Sequence, residues 1–193
     1  IWLMFDDEKG LGTSLINKLS TYNQKLILVK NGNEFKKIND NEFVITAGNQ
    51  NDYTAMITSL SEKNILPTHI LHLWGVNNPS NNDTLNLLDD NLDKNFYSLL
   101  FLAQALGNED LQKKVKWITV TNSVHKTKDE KANGFTKAVN LGPVKIIPKE
   151  FPEISSVCID LENNFNNEKA ANQILSEFNG NFNEQVIAYR NEQ

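Results

Sequence analysis

Short apolar runs alternate with amphipathic stretches along most of the chain. The runs at residues 1–5 (IWLMF), 25–29 (KLILV), 42–46 (EFVIT), 69–74 (HILHLW), 115–121 (VKWITVT), 154–161 (ISSVCIDL) and 185–189 (QVIAY) predict strands. The continuously apolar ones suit strands buried on both faces of a parallel sheet. Between them, Leu11, Leu15, Ile16 and Leu19 recur at helical spacing after Gly10 and Gly12. Tyr53, Met56, Ile57 and Leu60 define a second helix, with Asp52 as its expected N-cap. Residues 85–106 carry a long helical pattern that Gly107 should end. Residues 135–141 read as a helix stopped by Gly142 and Pro143, with 144–147 resuming briefly before Pro148 and Pro152. Ala171, Ile174, Leu175 and Phe178 face inward from a last helix over 168–178. Residues 35–40 are polar and ambiguous, with a hairpin excursion as one reading; 77–83 and 122–134 read as polar loops. This alternation predicts one α/β domain over residues 1–193, a mostly parallel, doubly wound sheet with right-handed crossovers.

In such a sheet the turn after the first strand is where a dinucleotide-binding unit keeps G-x-G-x-x-G and rests pyrophosphate on the helix N-terminus. Residues 7–12 here read D-E-K-G-L-G. Only the final glycine, which allows close helix–strand packing, survives, as Gly12. Asp7 and Lys9 replace the glycines that make the tight turn and admit the phosphates. Asp6, Asp7 and Glu8 also place three carboxylates near the expected dianion, against one lysine. The frame is that of a nucleotide-binding fold whose phosphate site is filled in, and no cofactor-binding residue is assigned.

Composition narrows the partners. A net charge of -5 and a pI near 5.2 argue against nucleic acid or an anionic membrane. Arg190 is the single arginine, so bidentate phosphate clamps are scarce. Cys158, alone in an apolar run, excludes an internal disulfide and is expected in the core. No stretch is apolar enough to span a bilayer and no signal peptide is visible, which predicts a cytoplasmic protein. The start without Met predicts a segment of something longer.

A dehydrogenase built on this sheet needs a Tyr four residues before a Lys, so that the Lys can lower the phenol pKa for proton transfer. Ser123, at the end of the run 115–121, is well placed to orient a carbonyl. In the helix that follows, however, Thr136 and Asn140 stand where the Tyr and Lys would, and neither can act as the acid. Tyr22, Tyr53, Tyr97 and Tyr189 are followed at the fourth position by Leu26, Ile57, Phe101 and Gln193. No catalytic residue is assigned. His69 and His72 lie three apart in a strand, point to opposite faces and cannot share a metal. His125 reads as a solvated loop residue, and Lys126, Lys128 and Lys131 as a solvated basic run. No Cys/His cluster for a metal exists. Trp2, Trp74 and Trp117 are expected to pack the core.

The succession WLMFDDEKGLGTSL, DYTAMI, THILHLWG, KWITVTNSVHK, VNLGPVKIIPKEFPEISSVCIDLE and EQVIAYRNE resembles the structural subdomain of a ketoreductase from a modular polyketide synthase. The resemblance runs over nearly the whole chain in order and spacing. It implies a truncated Rossmann-like, short-chain dehydrogenase-like fold that binds no NADPH and buttresses a second, catalytic half. That half would bind NADPH and reduce the β-ketone of a chain carried on acyl carrier protein. The implied partners are the catalytic subdomain of the same polypeptide and neighbouring dehydratase, methyltransferase or acyl carrier protein domains. A free-standing oxidoreductase using Ser123 and one of the histidines, and a dinucleotide sensor without chemistry, are the alternatives from other classes.

Overall fold

The computed structural model describes residues 1–7, 9–77, 85–125 and 135–190, apart from the side chains of 85–87 and 135. Eight strands form one sheet in the order β3-β4-β2-β1-β5-β6-β7-β8. They are β1 (Trp2–Phe5), β2 (Leu26–Asn31), β3 (Lys36–Asn39), β4 (Glu42–Ile45), β5 (His69–Gly75), β6 (Val115–Asn122), β7 (Ile154–Leu161) and β8 (Val186–Tyr189). Every pairing is parallel except that of β3 with β4, so residues 35–40 do contain the hairpin excursion. The two edges differ. β3 is fully exposed, carries Lys36 and Lys37 and has an irregular register, features that discourage further pairing. β8 carries no charge and is only half-buried.

The helices cover both faces. Trp2, Met4, Leu71, Leu73, Ile118 and Ile159 point toward α1 (Leu11–Thr21) and α6 (Asn167–Glu177), which contribute Leu11, Leu15, Ala171 and Ile174. Leu3, Phe5, Ile27, Ile70, Trp74 and Trp117 point the other way. That layer comprises α2 (Gln50–Ser61), α4 (Ser98–Gly107) and α5 (Leu141–Glu150), through Tyr53, Met56, Leu99, Leu102 and Val144. The two-residue alternation along β1 and β5 thus feeds two separate cores. All three tryptophans and Cys158 are buried, and burial pushes the Cys158 thiol up to about 12.

Three local expectations are corrected. Asn49, rather than Asp52, caps α2, its side chain accepting from Asn51 N. Asp52 lies in the first turn, buried, where it accepts from Thr46 N at 2.8 Å and from Asn49 Nδ2 at 2.7 Å, tying the helix to the end of β4. The long helical pattern is segmented: α3 (Leu85–Leu92) passes through a π-helical turn, Asp93–Tyr97, into α4. Gly142 and Pro143 do not stop a helix; a 3-10 turn over Phe135–Asn140 leads into α5, which includes both. Pro143 is tolerated because first-turn N–H groups have no intrahelical partner. Pro148, further in, deprives the Val144 carbonyl of its donor, and Ser156 Oγ supplies one from β7 at 2.6 Å. The polar loops at 78–83 and 126–134 lie outside the described residues.

Trp74 is 5% exposed and meets Phe5 edge-on with ring centroids 5.0 Å apart. Trp74→Ala should therefore cost about 3–5 kcal/mol, read as a lower urea midpoint. An unchanged midpoint would contradict this packing.

Candidate functional site

In an open parallel sheet the ligand crevice lies beyond the carboxyl ends of the strands where the order reverses. Here that point is β1, flanked by β2 on one side and β5 on the other. The chain leaving β1 turns through Gly10 (φ 88°), a left-handed conformation that favours glycine, and enters α1. Gly12 has no room for a β-carbon, because Asp6 Oδ1 occupies that space.

The helix entrance is already occupied. Asp7 Oδ2 accepts from Lys9 N at 2.7 Å and from Leu11 N at 3.2 Å, and Asp7 Oδ1 accepts from Gly12 N at 2.6 Å. These backbone donors have no partner within the helix and would otherwise hold an anion. An internal carboxylate stands there instead, its charge complementing the helix dipole. Burial, and secondarily Asp7, raise the Asp6 carboxyl above its usual range, with Lys30 opposing. Lys9 is partly buried at this turn. Its ammonium lies over the Phe165 ring, 5.8 Å from the centroid, and its carbonyl accepts from Asn167 Nδ2 at 3.1 Å. Glu8 lies outside the described residues.

Beside this turn a cleft of about 260 Å³ is lined by Asp6, Asp7, Lys30, Asn31, Trp74 and Asn77, among others. Its polar walls are engaged internally: Lys30 with Glu42 at 2.8 Å, and Asn31 Oδ1 with Ala47 N at 3.1 Å. A larger groove, about 850 Å³, lies at the opposite end of the sheet between α1 and α6, against Trp2, His69 and Phe178.

Ser123 stands at the end of β6 as expected, 5% exposed and left-handed at φ 60°. Thr136 Oγ1 accepts from Asn91 Nδ2 at 3.3 Å, and Asn140 is fully buried beside the Cys158 thiol. Between Thr136 and Asn140, at neither position of a Tyr–Lys pair, stands a buried lysine. Lys137, 3% exposed, sends Nζ to Asn122 Oδ1 at 2.6 Å and lies 3.4 Å from the carbonyls of Asn77 and Asn122. Asn122 Oδ1 also accepts from Asn77 N at 3.2 Å, so one ammonium joins the ends of β5 and β6. Burial, reinforced by Lys9 and opposed by Asp160, pulls the Lys137 amine down to about 7. The available signal was a lysine two residues from both Phe135 and Val139 in a stretch expected to be helical.

The histidines part company, as their spacing requires. His69 stacks on Trp2 with centroids 4.6 Å apart. His72 is fully buried on the other face, stacked on Phe5 at 4.8 Å. Ser98 Oγ donates to the Lys94 carbonyl at 2.7 Å, so it accepts from His72 Nε2–H at 3.0 Å. Burial lowers the His72 pKa to about 3, leaving a neutral ring at ordinary pH. His125, expected to be solvated, keeps its side chain 38% exposed but is not free of the fold: its backbone N donates to the fully buried Asp160 Oδ2 at 2.8 Å, and its Nδ1 lies 3.3 Å from the same oxygen. Arg190 spends its guanidinium on that carboxylate too, at 2.7 Å. Tyr53, fully buried, donates to the Ala47 carbonyl at 2.9 Å. Among the described residues no three His, Cys, Asp or Glu side chains gather as a metal site.

A family model described as beta-ketoacyl synthase-like, N-terminal, matches residues 1–179, and the chain belongs to that family. No curated protein sequence matches. Among solved structures, the chain is similar to a multidomain adenylation, ketoreductase and pseudo-Asub structure from a keto acid-selecting NRPS module. The TM-score is 0.90 at 22% identity, covering 98% of this chain and 16% of that one. An N-terminal ketoreductase from the macrolactin assembly line matches with a TM-score of 0.77 at 22% identity, over 97% of this chain and 37% of that one. A short-chain dehydrogenase/reductase from Brucella ovis, solved with partially ordered NAD, matches at 0.71 and 13% identity over 98% of both chains. The shared property at these identities is the fold, which is short-chain dehydrogenase-like. The chain spans well under half the length of the first two.

Two expected outcomes follow from these contacts. Asp7→Ala removes an acceptor shared by three backbone donors and should destabilise the fold by about 2 kcal/mol, the upper end for helix capping, measured by urea denaturation. The Lys137 amine gives up its proton near pH 7 when folded but near 10.5 when unfolded. Between those values the unfolded chain binds more protons, so the Lys137 contribution to stability rises with pH. Lys137→Met should abolish that rise; an identical pH profile would show the amine to be solvated.

Proposed function

We propose that this chain is a non-catalytic, Rossmann-like scaffold that supports an NADPH-dependent ketoreductase half in a polyketide synthase. The partner half would reduce a β-ketoacyl chain carried on acyl carrier protein. The observation that carries the reading is the Asp7 carboxylate on the N–H groups of Lys9, Leu11 and Gly12. A pyrophosphate brought to the same donors would have to displace it or face it. Two unit charges 4 Å apart near a protein surface repel by about 4 kcal/mol. The similarity to ketoreductase-containing assembly-line structures, and membership of the beta-ketoacyl synthase-like family, support the same reading.

On this reading NADPH belongs to the partner half and none is bound by this segment. Thr136 and Asn140 supply no proton donor where a Tyr–Lys pair would stand, and Lys137 is spent on the ends of β5 and β6. The uncharged edge at β8 suits burial against that partner, because free strand N–H and C=O groups recruit other chains. Residence in the cytoplasm and adjacency to dehydratase, methyltransferase or carrier domains belong to the same proposal. No described helix is long and apolar enough to cross a membrane.

Calorimetric titration of the segment with NADPH should show no saturable binding. Micromolar affinity, about -8 kcal/mol, would overturn the scaffold reading in favour of a dinucleotide sensor, and NADPH consumption by the segment alone would favour an oxidoreductase. Expressed with the adjoining catalytic half, the pair should bury more than about 1,000 Å² and reduce a β-ketoacyl thioester with NADPH.

A further inference from the structure

Asp160 sits at the carboxyl end of β7, fully buried, where a lone carboxylate would be costly. Two segments converge to satisfy it. The chain leaving β6 turns through left-handed Ser123, and the next two backbone N–H groups both aim at Asp160. Val124 N reaches Oδ1 at 3.0 Å and His125 N reaches Oδ2 at 2.8 Å. From the chain leaving β8, Arg190 Nη2 reaches Oδ2 at 2.7 Å. The same guanidinium donates to the Asp160 carbonyl at 2.7 Å and to the His125 carbonyl at 2.9 Å. The single arginine of the chain, 12% exposed at its side chain, is therefore a three-way clip rather than a surface cation.

We infer that Asp160 is a positioning residue, tying the backbone that leaves β6 to the backbone that leaves β8 so that the two directions of exit are set together. The planar fork of arginine suits this role, since one group must meet a carboxylate and the carbonyls of Asp160, His125 and Tyr189 at fixed angles. Resting on the scaffold reading, the joint also fixes how a catalytic half continuing after β8 approaches the sheet. The left-handed Ser123 belongs to the same device, because its turn brings two successive N–H groups onto one carboxylate.

The test uses the full polypeptide that carries this segment, with Arg190→Gln and Arg190→Lys variants followed by amide hydrogen exchange. Neither Val124 N nor His125 N touches Arg190. In the Gln variant both should nevertheless exchange about tenfold faster or more, as expected for loss of a hydrogen bond to a charged group. The Lys variant should recover part of the protection. Unchanged exchange at both amides, with acceleration confined to β8, overturns the joint. Protection at Met4 and Ile118 in the core strands controls for unfolding; if it falls in the Gln variant, the same two outcomes are read from Arg190→Lys. In the same proteins, reductase turnover should fall at unchanged KM for NADPH. Unchanged turnover overturns transmission to the partner half. A wild-type polypeptide that reduces nothing overturns the scaffold reading, while the exchange experiment still decides the joint.

Discussion

The first N–H groups of a helix must find an acceptor, and in this protein the one at α1 comes from three residues before Gly10. Asp7 meets the need from within the chain, and much else follows from that choice. It locks the β1–α1 connection, holds Gly10 in its left-handed turn and leaves Asp6 crowded against Gly12. A phosphate would satisfy the same donors only while bound. A carboxylate built into the chain satisfies them always, which converts a ligand-dependent turn into a permanent one. Rigidity at the switch point then does not wait on a bound phosphate, which fits the proposed supporting role.

The same substitution of internal groups for external ones recurs across the carboxyl edge of the sheet. Lys137 closes the ends of β5 and β6, and Arg190 closes those of β6, β7 and β8. Both cations are held by carbonyls or carboxylates of the protein itself. The edge that binds substrates in related folds is here cross-braced by salt links and amide contacts. Its chemistry is directed at the chain's own backbone.

Most strands were legible because their residues alternate or run apolar for mechanical reasons: Leu3 and Met4 must face different helix layers, as must Leu71 and His72. The filled glycine turn was legible too, since Asp7 and Lys9 are visible departures from a short motif. What escaped notice was set by tertiary partners. Asn49 caps α2 because Asp52 is drawn back to Thr46 N, a contact that local propensity does not encode. Lys137 drew no assignment, because the Asn77 and Asn122 that surround it lie 60 and 15 residues away in sequence. The tie of the half-exposed His125 to Asp160 was hidden because the two lie 35 residues apart in sequence.

Pro148 and Ser156 illustrate how such a partnership constrains the history of a sequence. The proline leaves the Val144 carbonyl without its helical donor, and the serine hydroxyl on β7 makes good the loss. A serine at 156 is harmless beside any residue at 148, because a carbonyl oxygen can accept from two donors. A proline at 148 without the serine strands a carbonyl at a buried helix–strand contact. The order serine first and proline second avoids that stranded carbonyl, whose cost is about 1–3 kcal/mol, and the order of loss that avoids it is the reverse. Once both are present, the proline acts as a ratchet that keeps the serine in place, although neither residue is part of any site.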